Sequence, residues 1–321
     1  MALRHTIVFF FALLFSTGAL GFVKNQQFNA TDTARVNLLN GVAERFVYTN
    51  TDSTIYYATQ ALDLAKEINF EKGQAEAFTL IAQGNIYAGN YSVAKENILK
   101  ALNLFEKLDL PKQKGEVLNK MGWLHILRGD FSLGKKAYDS AIVIFKSLNY
   151  LLGQAKANSA LGNMFQKQGN YLVASEYLFL SLSQFQKLND KGGAADALNN
   201  LGVVFEGQED YGKALKNYYG AYKVYTEIGD KLGEAIGLHN SGIILKKTGH
   251  LDSALYNFRK AKQLDLTIGA MDGVAYDEKE IGDVFLKYQV VSIITQLEAG
   301  DFTRINLKDG RSVFLVKRDA K

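Results

Sequence analysis

Between Gly153 and Leu188 the apolar positions keep a helical rhythm that breaks once. Ala157, Leu161, Met164 and Phe165 fall three and four residues apart, the spacing that puts side chains on one face of a helix. Gly169-Asn170 interrupts the rhythm, and a glycine just past a helical run is a left-handed C-cap signal. Tyr171, Ala174, Leu178, Ser181, Phe185 and Leu188 then make a second helical face. The stretch predicts a hairpin of two antiparallel helices joined by a short turn. Asn189-Asp190-Lys191-Gly192 leads into the next one.

The same pattern recurs every 40 residues along the chain. Gly122, Gly162, Gly202, Gly242 and Gly282 form one ladder. Ala61, Ala101, Ala141, Ser181, Ala221 and Ala261 form a second, and Ala94, Gly134, Ala174, Ala214 and Ala254 a third. Large residues keep the same step: Phe105, Phe145, Phe185 and Tyr225 at the end of each second helix, Tyr91, Phe131, Tyr171, Tyr211 and Leu251 at its start. Gly89, Gly129, Gly169 and Gly249 mark the turn inside each hairpin, with Glu209 as the exception. A fixed period of this length is the mark of a stacked repeat array, because one hairpin cannot bury its apolar face alone. Residues 31–271 are expected to form six such hairpins, the first of them degenerate, with Val42 where later units carry glycine. Residues 272–288 are expected to be a lone capping helix, since the small-residue ladders break at Ile294 and Asp301.

The unit resembles a tetratricopeptide repeat of the longer, 40-residue kind. The motif residues are Leu161-Gly162, Gly169-Asn170-Tyr171, Ala174 and Ser181 in the fourth unit. In the fifth they are Leu201-Gly202, Asp210-Tyr211, Ala214, Tyr218 and Ala221. The proline that closes the family's pattern is absent, consistent with longer second helices. The resemblance implies an all-α, right-handed superhelical solenoid of antiparallel helix hairpins. It also implies that the first helices line a concave groove, at positions three before, one after and four after the ladder glycine. Those positions are Asn119, Trp123 and Ile126; Ser159, Asn163 and Gln166; Asn199, Val203 and Glu206; His239, Ile243 and Lys246. Asn119, Trp123, Asn163, Gln166, Asn199, His239 and Lys246 are therefore the expected partner-binding residues. Amides can bond a peptide backbone without fixing its sequence, and tryptophan is enriched at binding hot spots. The two-lysine clamp for C-terminal carboxylates known in the family is not reproduced: Asn119, Ser159 and Asn199 stand there.

The ends of the chain differ. Residues 1–21 have the form of a secretory signal, with Arg4 and His5, an apolar run from Ile7 to Phe15, and Ala19-Leu20-Gly21 before an expected cleavage at Phe22. That run is shorter than a membrane-spanning helix needs. The protein is thus expected to be exported, periplasmic or secreted, without membrane insertion after cleavage. Residues 22–30 read as a polar linker. Residues 289–321 are rich in β-branched residues, and Asp309-Gly310 lies between two alternating stretches, which predicts a short C-terminal β-hairpin. The tail also weakly resembles the opening strands of LytTR-type DNA-binding domains. It supports an alternative expectation: the sensor portion of a membrane-linked bacterial signalling protein lacking its output domain.

Composition removes other classes. There is no cysteine, hence no disulfide, thiolate metal site or cysteine nucleophile, and a net charge of +4 is spread through the repeats. A nucleic-acid footprint would need clustered basic residues, so a protein or peptide partner is expected and nucleic acid is not. A single proline, Pro111, suits long uninterrupted helices. The four histidines, His5, His125, His239 and His250, show no ligand spacing, and no phosphate-cradling or nucleophile-elbow motif is present. The chain is expected to be a non-enzymatic scaffold without cofactor or metal.

Overall fold

The computed structural model describes residues 32–298, 305–306 and 312–313. The expected signal and linker lie outside the described residues. Thirteen helices are described, and the contacts divide the chain into two compact units, Met1–Leu110 and Pro111–Lys321.

The first unit holds α1 (Asp32–Phe46), α2 (Thr51–Glu67), α3 (Glu71–Tyr87) and α4 (Tyr91–Lys107), two hairpins in which each helix packs on its neighbours in sequence. Its core is largely alanine: Ala58, Ala61, Ala65, Ala94 and Ala101 are fully buried beside Val36, Ile98 and Phe105. Small side chains let the helix axes approach, and the few large ones fill what remains. Asn50 caps α2, its side chain accepting from the Ser53 amide at 2.9 Å.

The second unit opens at the only proline, which takes the first position of α5 (Pro111–Leu127), where its missing N–H costs nothing. Then follow α6 (Phe131–Ser147), α7 (Leu151–Lys167), α8 (Tyr171–Lys187), α9 (Lys191–Gly207), α10 (Tyr211–Ile228), α11 (Lys231–Lys247) and α12 (Leu251–Ile268). These are four hairpins stacked as a solenoid. The first unit holds two hairpins and the second four.

Each ladder has a steric meaning here. A Cβ added at Gly122, Gly162, Gly202 or Gly242 would lie 2.5–2.7 Å from Tyr138, Leu178, Tyr218 or Phe258 of its own second helix. One large side chain per hairpin therefore sits directly on a first-helix backbone. Phe145, Phe185 and Tyr225 do the same against Gly153, Gly193 and Gly233 of the following hairpin. Ser181, the polar rung among alanines, is fully buried and donates its hydroxyl to the Ala155 carbonyl at 2.9 Å, which satisfies it.

The turns behave as the glycines predict. Gly129, Gly169 and Gly249 have φ of 83°, 73° and 84°, and Glu209 is forced into the same left-handed region at 59°. The Asn170 amide bonds back to the Phe165 carbonyl and the Gly169 amide to the Gln166 carbonyl, closing the end of α7. Between hairpins, Asn149 and Asn189 take that region. Asp190, Asp210 and Asp230 then cap the next helices by accepting from the Gly193, Lys213 and Gly233 amides.

The C-terminal expectations need correction. The last helix, α13 (Met271–Glu298), is 28 residues long and passes the expected end at 288 by ten residues. The physical reason is position 289: the repeat puts its turn glycine there, and this chain has Gln289, with no glycine or proline before Gly300. The boundary placed between residues 288 and 289 therefore falls inside a helix. Of the expected hairpin, only β1 (Ile305–Asn306) and β2 (Ser312–Val313) are described, an antiparallel pair with Ile305 opposite Val313. The Asp309-Gly310 turn lies outside the described residues, so two two-residue strands do not support a hairpin of the expected length. The described fold is all-helical apart from them.

Candidate functional site

The expected binding residues sit on α5, α7, α9 and α11, and three positions per helix define their face. The position three before the ladder glycine (Asn119, Ser159, Asn199, His239) is partly exposed in every hairpin of the second unit. So is the position one after it: Trp123, Asn163, Val203 and Ile243. The position four after splits. Gln166, Glu206 and Lys246 are partly exposed, whereas Ile126 is buried in a cluster with Tyr138, Leu161 and Met164. Gly134 makes the room for it, since a Cβ there would lie 2.5 Å from the Ile126 Cδ1.

The row divides further by what its polar groups already touch. Asn163 and Gln166 have no side-chain hydrogen bond to any described residue. The buried Oδ1 of Asn119 is likewise without a donor among the described residues. Asn199 accepts from Asn240 Nδ2 at 3.0 Å, a bond that ties α9 to α11. Glu206 is also spoken for: it accepts from the Tyr218 hydroxyl at 2.8 Å and pairs with Lys247 at 2.7 Å.

At the end of the row, α13 claims what remains. His239 Nδ1 lies 2.6 Å from Asp277 Oδ1. Lys246 pairs with Glu280 and, at 3.3 Å, with Asp283. Burial pushes the Glu280 carboxyl up, but its bonds to Lys246 and Lys279 outweigh this and hold it below the usual carboxylate range. For Asp277, burial wins over the pull of His239, and its carboxyl is raised. The structure thus places His239 and Lys246 in the seam between α11 and α13, apart from the uncommitted amides of α5 and α7.

Two members of that seam were not singled out from the sequence. Asp265 stands on the rung held by Phe105, Phe145, Phe185 and Tyr225, and Asp277 on the rung held by Ala77, Val117, Ala157, Ala197 and Gly237. Both are buried, at 5% and 0% exposure. Burial, then the neighbouring Asp277 charge, raises the Asp265 carboxyl against the opposing effect of His239. Reading the 40-residue register one step further would have exposed both as carboxylates on apolar rungs. His125 is a simpler case: it is buried in α5. Among the described residues no group of three or more His, Asp or Glu side chains is placed to hold a metal ion. No described helix is long and apolar enough to cross a membrane.

The four hairpins of the second unit, each closed by an aromatic or leucine seated on a glycine, define a helical repeat solenoid. The family model for the tetratricopeptide repeat matches residues 153–226 and 193–266, which span α7 to α12. Residues 153–266 of the chain are thus tetratricopeptide repeats. Among solved structures it is similar to BtubC (BKLC) from P. vanneervenii, with 18% identity and a TM-score of 0.60 over 69% of this chain and 93% of that one. It is similar to a signal-transduction ATPase with a tetratricopeptide repeat sensor from Pyrococcus horikoshii, with 18% identity and a TM-score of 0.59 over 79% of this chain and 40% of that one. A Rap protein complexed with competence and sporulation factor gives 15% identity and a TM-score of 0.62 over 85% of this chain and 80% of that one. At such identities the likeness is one of fold. No curated protein sequence matches the chain.

Proposed function

We propose that the protein is an exported, non-catalytic scaffold that holds an extended peptide or partner segment against the first helices of its second unit. The contact residues are Asn119, Trp123, Asn163, Gln166 and Asn199, on the concave side of a right-handed superhelix. His239 and Lys246 close the row, where α13 occupies their charges.

One observation carries this reading. In a row where Asn199, Glu206, His239 and Lys246 are engaged by bonds to other helices, the side chains of Asn163 and Gln166 stay uncommitted and partly exposed. Amides presented this way offer both donors and acceptors to a peptide backbone. Trp123 lies on the same face, one hairpin away and partly exposed, which suits an aromatic anchor. The Rap structure, which contains competence and sporulation factor, lends support as a protein of this fold that binds a partner.

The test compares the mature chain with a Trp123→Ala/Asn163→Ala/Asn199→Ala variant in pull-down from the native compartment. Loss of a specific partner from the variant, with its helix content intact, supports the proposal. Equal recovery from both defeats the groove assignment. Export is checked separately by fractionation and N-terminal sequencing of the mature protein, which should begin at Phe22; an intact Met1 on the isolated protein would contradict it.

A further inference from the structure

We propose that the exposed face of α13 is a homodimer interface, in which two copies of α13 pack antiparallel with Leu286 of each seated over Gly282 of the other. The inference starts from Gly282. Its four counterparts, Gly122, Gly162, Gly202 and Gly242, are each covered by a large side chain of the next helix. At Gly282 nothing among the described residues lies within 4 Å of an added Cβ. The seat is therefore of a known kind, and what fits it is a helix carrying a large apolar residue at its point of closest approach.

Among the described residues no second helix follows α13 to cover that seat. Where a second helix would turn back, α13 runs on to Glu298, and the next described residues are the short strands. α13 does carry both halves of the contact itself. Leu286 lies one turn from Gly282 on the same face, and it is 60% exposed; Phe285 and Val290 beside it are 41% and 53% exposed. The lone glycine and the large side chains are thus self-complementary, the requirement for an isologous two-fold contact. With the axis midway between residues 282 and 286, Lys279 falls opposite Gln289 and Lys287 opposite Ile281, so no like charges stand directly opposite. Asp277 and Glu280, which hold α13 to His239 and Lys246 of α11, lie on the side of α13 away from Gly282.

Sedimentation equilibrium of the mature chain, from low to high micromolar concentration, tests this. The wild type should show a monomer–dimer equilibrium. Leu286→Lys should weaken it by more than about tenfold, the scale of a central apolar contact. Leu172→Lys, on the outer face of α8 where Leu172 is 68% exposed, should leave it unchanged. Because the chain lacks cysteine, mixing Gly282→Cys with Leu286→Cys should give a disulfide-linked pair, and mixing Gly282→Cys with Leu172→Cys should not. A strict monomer, or a dimer indifferent to Leu286→Lys, overturns the proposal. A monomer that retains a different protein through Leu286 also overturns it and gives the face to that partner. A Leu286→Cys thiol that instead cross-links within its own chain to a cysteine introduced in residues 299–321 gives the face to the tail.

Discussion

Gly202 and Gly220 lie in one hairpin and should respond to alanine in opposite ways. Gly→Ala inside a helix is worth about 1 kcal/mol in favour of folding from propensity alone. At Gly220, on α10, the new methyl would meet the nearest side-chain atom, Leu198 Cδ1, at 3.6 Å, ordinary contact distance. Gly220→Ala should therefore keep most of that gain. At Gly202 the added Cβ would lie 2.5 Å from both Cδ1 and Cε1 of Tyr218. That ring has nowhere to retreat: Tyr218 is fully buried, and its hydroxyl is held by Glu206 at 2.8 Å. Overpacking of this kind costs roughly 1–3 kcal/mol, and accommodation by ring movement would also strain the Glu206 bond. Gly202→Ala should thus lose that gain and come out destabilised by up to about 2 kcal/mol. Urea denaturation of the two variants and the wild type, followed by helix signal at low protein concentration, reads the difference. Equal midpoint shifts for both variants would refute the claim that the ladder glycines are seats for large side chains.

Other outcomes follow from single residues. Gly134→Ala should lower the unfolding midpoint, because Ile126 occupies the space an alanine fills in the neighbouring repeats; an unchanged or raised midpoint would contradict that coupling. Glu209→Gly should stabilise by about 0.5–1 kcal/mol, since its left-handed backbone is strained for any residue with a Cβ, and chemical denaturation will show the shift. Asp265→Asn should raise the melting temperature near neutral pH. The Asp265 carboxyl is raised by burial, so the wild type gains stability as pH falls through that raised value towards the ordinary carboxylate range, and loses it above. The gap between variant and wild type should then close on going from about pH 7 to about pH 4, and a gap that stays constant would refute the buried-charge reading.

Much of this fold was legible because its register never slips. The glycine turns, the paired helices and the aromatic closures all follow from positions 40 residues apart. Where the structure departs, the cause is a single residue off the pattern. Gln289 in place of a turn glycine lengthens α13, and Ile126 beside Gly134 moves a groove position into the core. The division of the described hairpins at Leu110 and Pro111 was not anticipated, because the ladders run through it without a break. The candidate row was legible only as a set of positions. Which of its members are already engaged depends on bonds between helices 34 to 41 residues apart, such as Lys246 with Glu280 and Asn199 with Asn240, and no local pattern encodes them. The buried pair Asp265 and Asp277 hid for the opposite reason: each is inconspicuous alone and anomalous only against its own ladder.

The central claim is that the partner lies along the first helices of the second unit. A photo-crosslinking residue introduced at Asn163, and in a parallel sample at Lys216 on the exposed surface of α10, tests it directly in the protein's native compartment. A discrete adduct from Asn163 with none from Lys216 is the predicted result. Adducts from Lys216 alone, or equally from both positions, would contradict the account.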